Sequence, residues 1–164
     1  MIASPAAEAA FLGCLLQTRA ATVTRGYLAQ VEDGDFAGTG HVAVLTAMRT
    51  LVAAGQPVDP ITVEGQLRRS GVEAAMTADK RAAVFLVDLL AAPPSVGTVG
   101  HYLQIVLEHR VRRTIETAGL RLQQVAESSS LDVARDVTRT DYQELERQFS
   151  RLAARECAQA GDAA

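Results

Sequence analysis

The chain has 164 residues, 48% of them apolar and 21% charged, so it can bury a sizeable core; disorder throughout and a second catalytic module are both excluded. Its formal net charge of −3 argues against a dedicated phosphate-backbone binder, so direct DNA binding is expected to be weak or absent. With 4% aromatics and no Trp, the core must rest on Leu, Val, Ile and Ala, a composition that favours an all-α protein.

Pro5 and Glu8 open an amphipathic helix carrying Phe11, Leu12, Leu15 and Leu16, since proline is tolerated in a first turn and an acidic side chain suits the helix N-terminus. A weaker helix over about 20–31 is broken by the turn residues Asp33-Gly34-Asp35. Val44, Leu45, Met48, Leu51 and Val52 then recur at helical spacing, closed by Gly55 and Pro57. Asp59-Pro60 supplies a capping carboxylate followed by a first-turn proline, starting a helix through Leu67 that stops at Gly71. Asp79 is placed to cap the next helix, whose apolar face is Ala82, Phe85, Leu86, Leu89 and Leu90, and Pro93-Pro94 ends it. From Val99 through Leu103, Leu107, Val111, Ile115, Ala118, Leu122 and Val125, apolar residues step by three or four along a helix far longer than average. Ser128-Ser129-Ser130 is a polar break, and Asp132 opens a second long pattern through Val137, Leu145, Phe149 and Leu152. The predicted architecture is a compact head of about five to six helices in residues 1–100, a long antiparallel helical hairpin in 101–157, and a flexible tail in 158–164.

Catalytic constellations are missing. A P-loop needs Lys and Ser or Thr directly after Gly, whereas Lys80, the only lysine among 16 basic residues, lies between Asp79 and Arg81. His41, His101 and His109 lack metal-ligand spacing and a partnered Cys pair, so they read as structural or surface residues. The serine run has no base beside it and no strand-to-helix elbow. Glu108 and Glu116 interleave with Arg110, Arg112 and Arg113, which breaks up any basic face. The expectation is a protein that is not an enzyme, with no cofactor, no metal and no ATP binding. Cys14 and Cys157, near opposite ends, fit a reducing compartment better than a disulfide. No signal-like opening appears and no apolar run approaches the roughly 18 residues of a bilayer span, so no membrane association and a cytoplasmic location are expected.

Four segments carry a resemblance. Glu8-Ala9-Ala10-Phe11-Leu12-Gly13-Cys14-Leu15-Leu16 resembles the Glu-x-Ala-Val-Leu-Gly-x-Leu-Leu opening of the N-terminal domain of DnaB-type bacterial replicative helicases. Asp35-Phe36 with His41 is similar to that family's Asp-Phe-Tyr-x-x-x-His segment, and Leu51 through Pro57-Val58-Asp59 and Ile61-Thr62-Val63 to its Leu-x-x-x-Gly-x-Pro-Val-Asp-x-Ile-Thr-Val run. Pro94-Ser95, Tyr102, Ile105-Val106, Glu108 and Arg113 follow in the family's order. Ala37 replaces the usual Tyr, Arg81-Ala82 a Gly-Gly turn, and Thr98 the Asn that would cap the long helix, a role Thr98 can also fill. The family's RecA-like motor domain has no counterpart in these 164 residues. Met1 and the tail from Ala158 favour a stand-alone relative over an excised piece.

The resemblance implies a non-catalytic module of DNA replication that supports oligomeric collar assembly, as a homodimer or higher oligomer, and receives primase or a full-length replicative helicase. A nucleic-acid-binding or phage- or plasmid-type regulator on the same fold is the alternative. Two isolated long helices cannot bury both faces. Val111, Ile115, Leu145 and Phe149 are expected to close the seam within the hairpin, and Leu122 and Val137 are further candidates for the hairpin and association interface. Ile105, Leu131 and Leu152 are then left for a neighbour, with Arg112 and Arg121 orienting it from the rim.

Overall fold

The computed structural model describes residues 4–71, 82–93 and 95–162, and among these every regular element is helical. Seven α-helices follow in order: α1 Pro5–Gln17, α2 Ala21–Leu28, α3 Thr39–Ala53, α4 Pro60–Arg69, α5 Ala82–Ala91, α6 Val99–Ser128 and α7 Leu131–Asp162. The chain divides into two compact units, Ser4–Val106 and the part from Leu107 onward.

In the first unit, α1 is the central helix. The expectation of an amphipathic α1 is corrected: Ala7, Glu8 and the unbroken run Ala10 to Leu16 are all buried, leaving no solvent face of any width. A helix enclosed in this way must be apolar or small on every side, and Ala, Gly and Cys fill the positions between its larger residues. Gly13 shows why size matters. A Cβ built there would lie 2.0 Å from the Leu89 carbonyl oxygen, so α1 and α5 approach backbone to backbone at a point only glycine allows. Val44, Leu45, Met48 and Leu51 of α3, Val63 and Leu67 of α4, Leu86 and Leu89 of α5 and Leu103 of α6 complete the core, each at most 2% exposed.

The punctuation follows local chemistry. Asp59 Oδ1 accepts from the amides of Ile61 and Thr62 at 2.9 Å each, while the Asp59 amide donates to Thr62 Oγ1 at 3.0 Å, a reciprocal cap behind Pro60. Gly55, with φ of +67°, ends α3 in the left-handed conformation that closes a helix C-terminus without a Cβ clash. Asp33–Asp35 forms a short 3₁₀ turn. The expected cap at Asp79 and the altered turn at Arg81 lie outside the described residues. Thr98 directs its hydroxyl to the Ser95 carbonyl at 2.7 Å.

In the second unit, the break at Ser129–Ser130 sits where the serine run was read. Ser130, rather than Asp132, sits at the start of α7: its carbonyl accepts from Ala134 at 2.9 Å and its hydroxyl from the Val133 amide at 3.5 Å. Arg121 bonds Asp141 and Arg110 bonds Glu144, so later positions on α6 meet earlier positions on α7, which is antiparallel pairing. Here, too, the seam differs from expectation. Thr114 and Ala118 continue the buried stripe from Val111, and Ile115, one residue off it, is 48% exposed. On α7, Asp141 and Gln148 are buried and Phe149 is 49% exposed, because a helical repeat from Asp141 lands on 144–145 and 148, not 149.

Candidate functional site

The residues that looked most like a motif near the N-terminus turn out to hold the fold together. Glu8, 1% exposed, points from α1 at the loop entering α3. Its carboxylate accepts from the Ala37 amide at 2.8 Å, the Gly38 amide at 3.2 Å and His41 Nδ1 at 2.7 Å. Burial pushes this carboxyl upward, but the His41 hydrogen bond, the two backbone amides and the His41 charge outweigh it and hold the group below its ordinary value. Phe36, beside that loop, packs on Phe11 at 6.1 Å between centroids, and His41 lies against Phe85 at 5.5 Å. Asp35, wholly buried, accepts from the Glu32 amide at 2.7 Å. The Glu8 bonds thus tie α1 to the loop and first turn of α3, while Asp35 closes the short turn that precedes them. Cys14 is also inert: burial pushes its thiol up to about 11, and Sγ faces the Ser95 carbonyl at 3.6 Å.

The hairpin residues are spread over three environments. Val111 is buried at 5%. Leu122, Val137, Leu145 and Leu152 are partly covered, and so is Ile105, which belongs to the first unit. Leu131 is 89% exposed, and Ile115 and Phe149 about half. Arg112 is exposed, whereas Arg121 is engaged with Asp141 at 2.5 Å. The structure adds exposed apolar side chains that periodicity did not single out: Leu120 at 64%, Val133 at 49% and Tyr142 at 63%.

Sequence reasoning missed the polar character of the seam. Glu144 Oε1 accepts from Gln148 at 2.7 Å and from Arg110 at 3.2 Å, and Oε2 accepts from Arg147 Nε at 2.9 Å. The Arg147 and Gln148 hydrogen bonds, reinforced by the charges of Arg147 and Arg110, pull its carboxyl down to about 2 against a smaller upward push from burial. The available signal was opposite charge on either side of the serine turn, Arg110 and Arg121 before it and Asp141 and Glu144 after it. Among the described residues there is no group of three or more His, Cys, Asp or Glu able to hold a metal, and no helix long and apolar enough to cross a membrane.

The family model of the DnaB-like helicase N terminal domain matches residues 1–108. The chain belongs to this family. It is 32% identical over 136 residues to the replicative DNA helicase DnaB of Mycobacterium leprae (strain TN), covering 82% of this chain and 22% of that protein. Against the replicative DNA helicase DnaB of Leifsonia xyli subsp. xyli (strain CTCB07), identity is 30% over 139 residues, 83% of this chain and 29% of the relative. The chain thus spans less than a third of the length of these relatives. The crystal structure of the N-terminal domain of DnaB helicase from Mycobacterium tuberculosis superimposes with a TM-score of 0.76 at 25% identity, covering 87% of this chain and 98% of that one. The all-α fold with a C-terminal helical hairpin is therefore that of the family.

Proposed function

We propose that the chain is a non-catalytic assembly and docking module of DNA replication: a head, residues 1–100, and a hairpin, residues 101–157, that self-associates in a collar and receives primase or a helicase partner. The observation that carries this reading is the hairpin surface. Ile115, Leu120, Leu131, Val133, Tyr142 and Phe149 are all 48% exposed or more on two helices whose own seam is partly polar. That much apolar surface left in water favours a protein neighbour, with a few anchors supplying most of the energy. Val111 and Ala118 keep the hairpin itself closed. Arg112, exposed on α6, suits a role in orientation at the rim. Membership of a replicative helicase family supports DNA replication as the context, and the location that goes with this reading is the cytoplasm.

The test is calorimetric titration of the chain with the helicase-binding domain of primase from the same source. Saturable binding that Leu131→Asp with Phe149→Asp weakens at least tenfold, about 1.4 kcal/mol, while helicity is retained, supports the reading. Absence of binding to both that domain and full-length helicase, with the hairpin intact, contradicts it.

A further inference from the structure

One flank of α7 carries a seven-residue repeat. Leu131, Thr138, Tyr142, Leu145, Phe149 and Leu152 follow one another at steps of seven, four, three, four and three, the spacing at which an α-helix presents a continuous seam to another helix. The position that the first step skips is Arg135, which turns to Asp132 at 3.3 Å. α6 does not fill this seam. The buried residues Asp141 and Gln148 lie one position before Tyr142 and Phe149, and Asp141 meets α6 through Arg121, so the side toward α6 is the neighbouring stripe. Leu131, Tyr142 and Phe149 are exposed, and Leu145 and Leu152 are only partly covered.

Two ions on the outer edge of the flank restrict what can cover it. Arg139 and Glu146 directly follow Thr138 and Leu145; both are exposed, and neither has a side-chain hydrogen bond or ion pair among the described residues. They are two turns apart, about 10 Å along the axis, too far to pair with each other. We infer that the flank pairs antiparallel with α7 of a second copy of this chain, in the register that sets Arg139 of each copy beside Glu146 of the other. A two-fold axis near Tyr142 and Gln143 makes both ion pairs at once, the self-complementary contact of a symmetric dimer. Within a turn of the same register, Tyr142 lies across from Leu145 and Thr138 across from Phe149. Parallel pairing would instead put Arg139 against Arg139 and Glu146 against Glu146, a like-charge contact at each. This pairing rests on the proposed self-association of the hairpin and gives it a helix, an orientation and a register.

The test is sedimentation velocity of the full chain as Arg139→Glu, as Glu146→Arg and as their equimolar mixture, each beside the natural chain. Both positions are exposed, so helical circular dichroism should be unchanged. Each variant alone meets like charge at both contacts and should self-associate about tenfold more weakly. The mixture restores both pairs and should assemble nearly as tightly as the natural chain. Variants that assemble as well as the natural chain, or a mixture no tighter than its parts, would overturn the antiparallel pairing while self-association through the hairpin stands. A strictly monomeric natural chain would overturn the pairing together with self-association, and would leave partner docking to be decided by the primase titration.

Discussion

Glu8 illustrates how a motif residue can look chemical and act structurally. Its carboxylate neutralises three donors that burial would otherwise leave without acceptors, so Glu8→Ala should cost about 3 kcal/mol, measurable by urea unfolding. Because its folded-state value is held below the ordinary 4.5, the carboxylate's contribution is complete above that value and is lost as pH falls through the depressed one. The stability difference between the natural chain and Glu8→Gln should therefore shrink as pH falls below about 4.5; a difference that keeps growing below that value would refute the assignment. Gly13 makes the complementary point about space. With the Leu89 carbonyl 2.0 Å from the position of a Cβ, Gly13→Ala must push α1 and α5 apart, and about 3 kcal/mol of destabilisation is expected by thermal or urea unfolding.

At the scale of the helices, the hairpin couples an apolar stripe on α6 to a partly ionic stripe on α7. Asp141 is 8% exposed at its side chain and Arg121 50%, so the two partners are not equivalent. Arg121→Ala strands a buried carboxylate and should cost about 2 kcal/mol, whereas Asp141→Ala releases an arginine to water and should cost less. A double-mutant cycle on the urea midpoints checks both: near-additivity would show that the pair does not interact. Helix positions were legible in the sequence because Pro5, Gly55, Asp59-Pro60, Gly71 and the serine run act locally, through φ restriction and capping, without knowledge of the fold. The seam was less legible. Whether Thr114 or Ile115 continues the stripe from Val111 depends on which way α6 is rotated against its partner, a tertiary fact that periodicities of three and four leave open. Asp141 and Gln148 were passed over since polar residues at core spacing are read as solvent-facing until a cross-helix partner is known. The candidate surface was legible in its helices and in Leu131, but Leu120, Val133 and Tyr142 emerged only with the geometry.

For the molecule as a whole, the division of labour is between a densely packed head and a hairpin that presents apolar side chains to solvent. Head stability rests on α1 being enclosed on nearly every side. On the reading proposed above, a neighbour would cover the apolar side chains that the hairpin leaves in water. Self-association should therefore be set by the hairpin and only modestly sensitive to salt, because apolar burial carries most of it and exposed ion pairs contribute little. The most direct measurement is sedimentation velocity of the full chain across a wide concentration range, alone and with Leu131→Asp and Phe149→Asp combined. The account predicts a dimer or higher oligomer that the double variant dissociates to monomer with its helical circular dichroism unchanged. A natural chain that stays strictly monomeric at high concentration with a fully helical hairpin, or a variant that assembles as well as the natural chain, would contradict it.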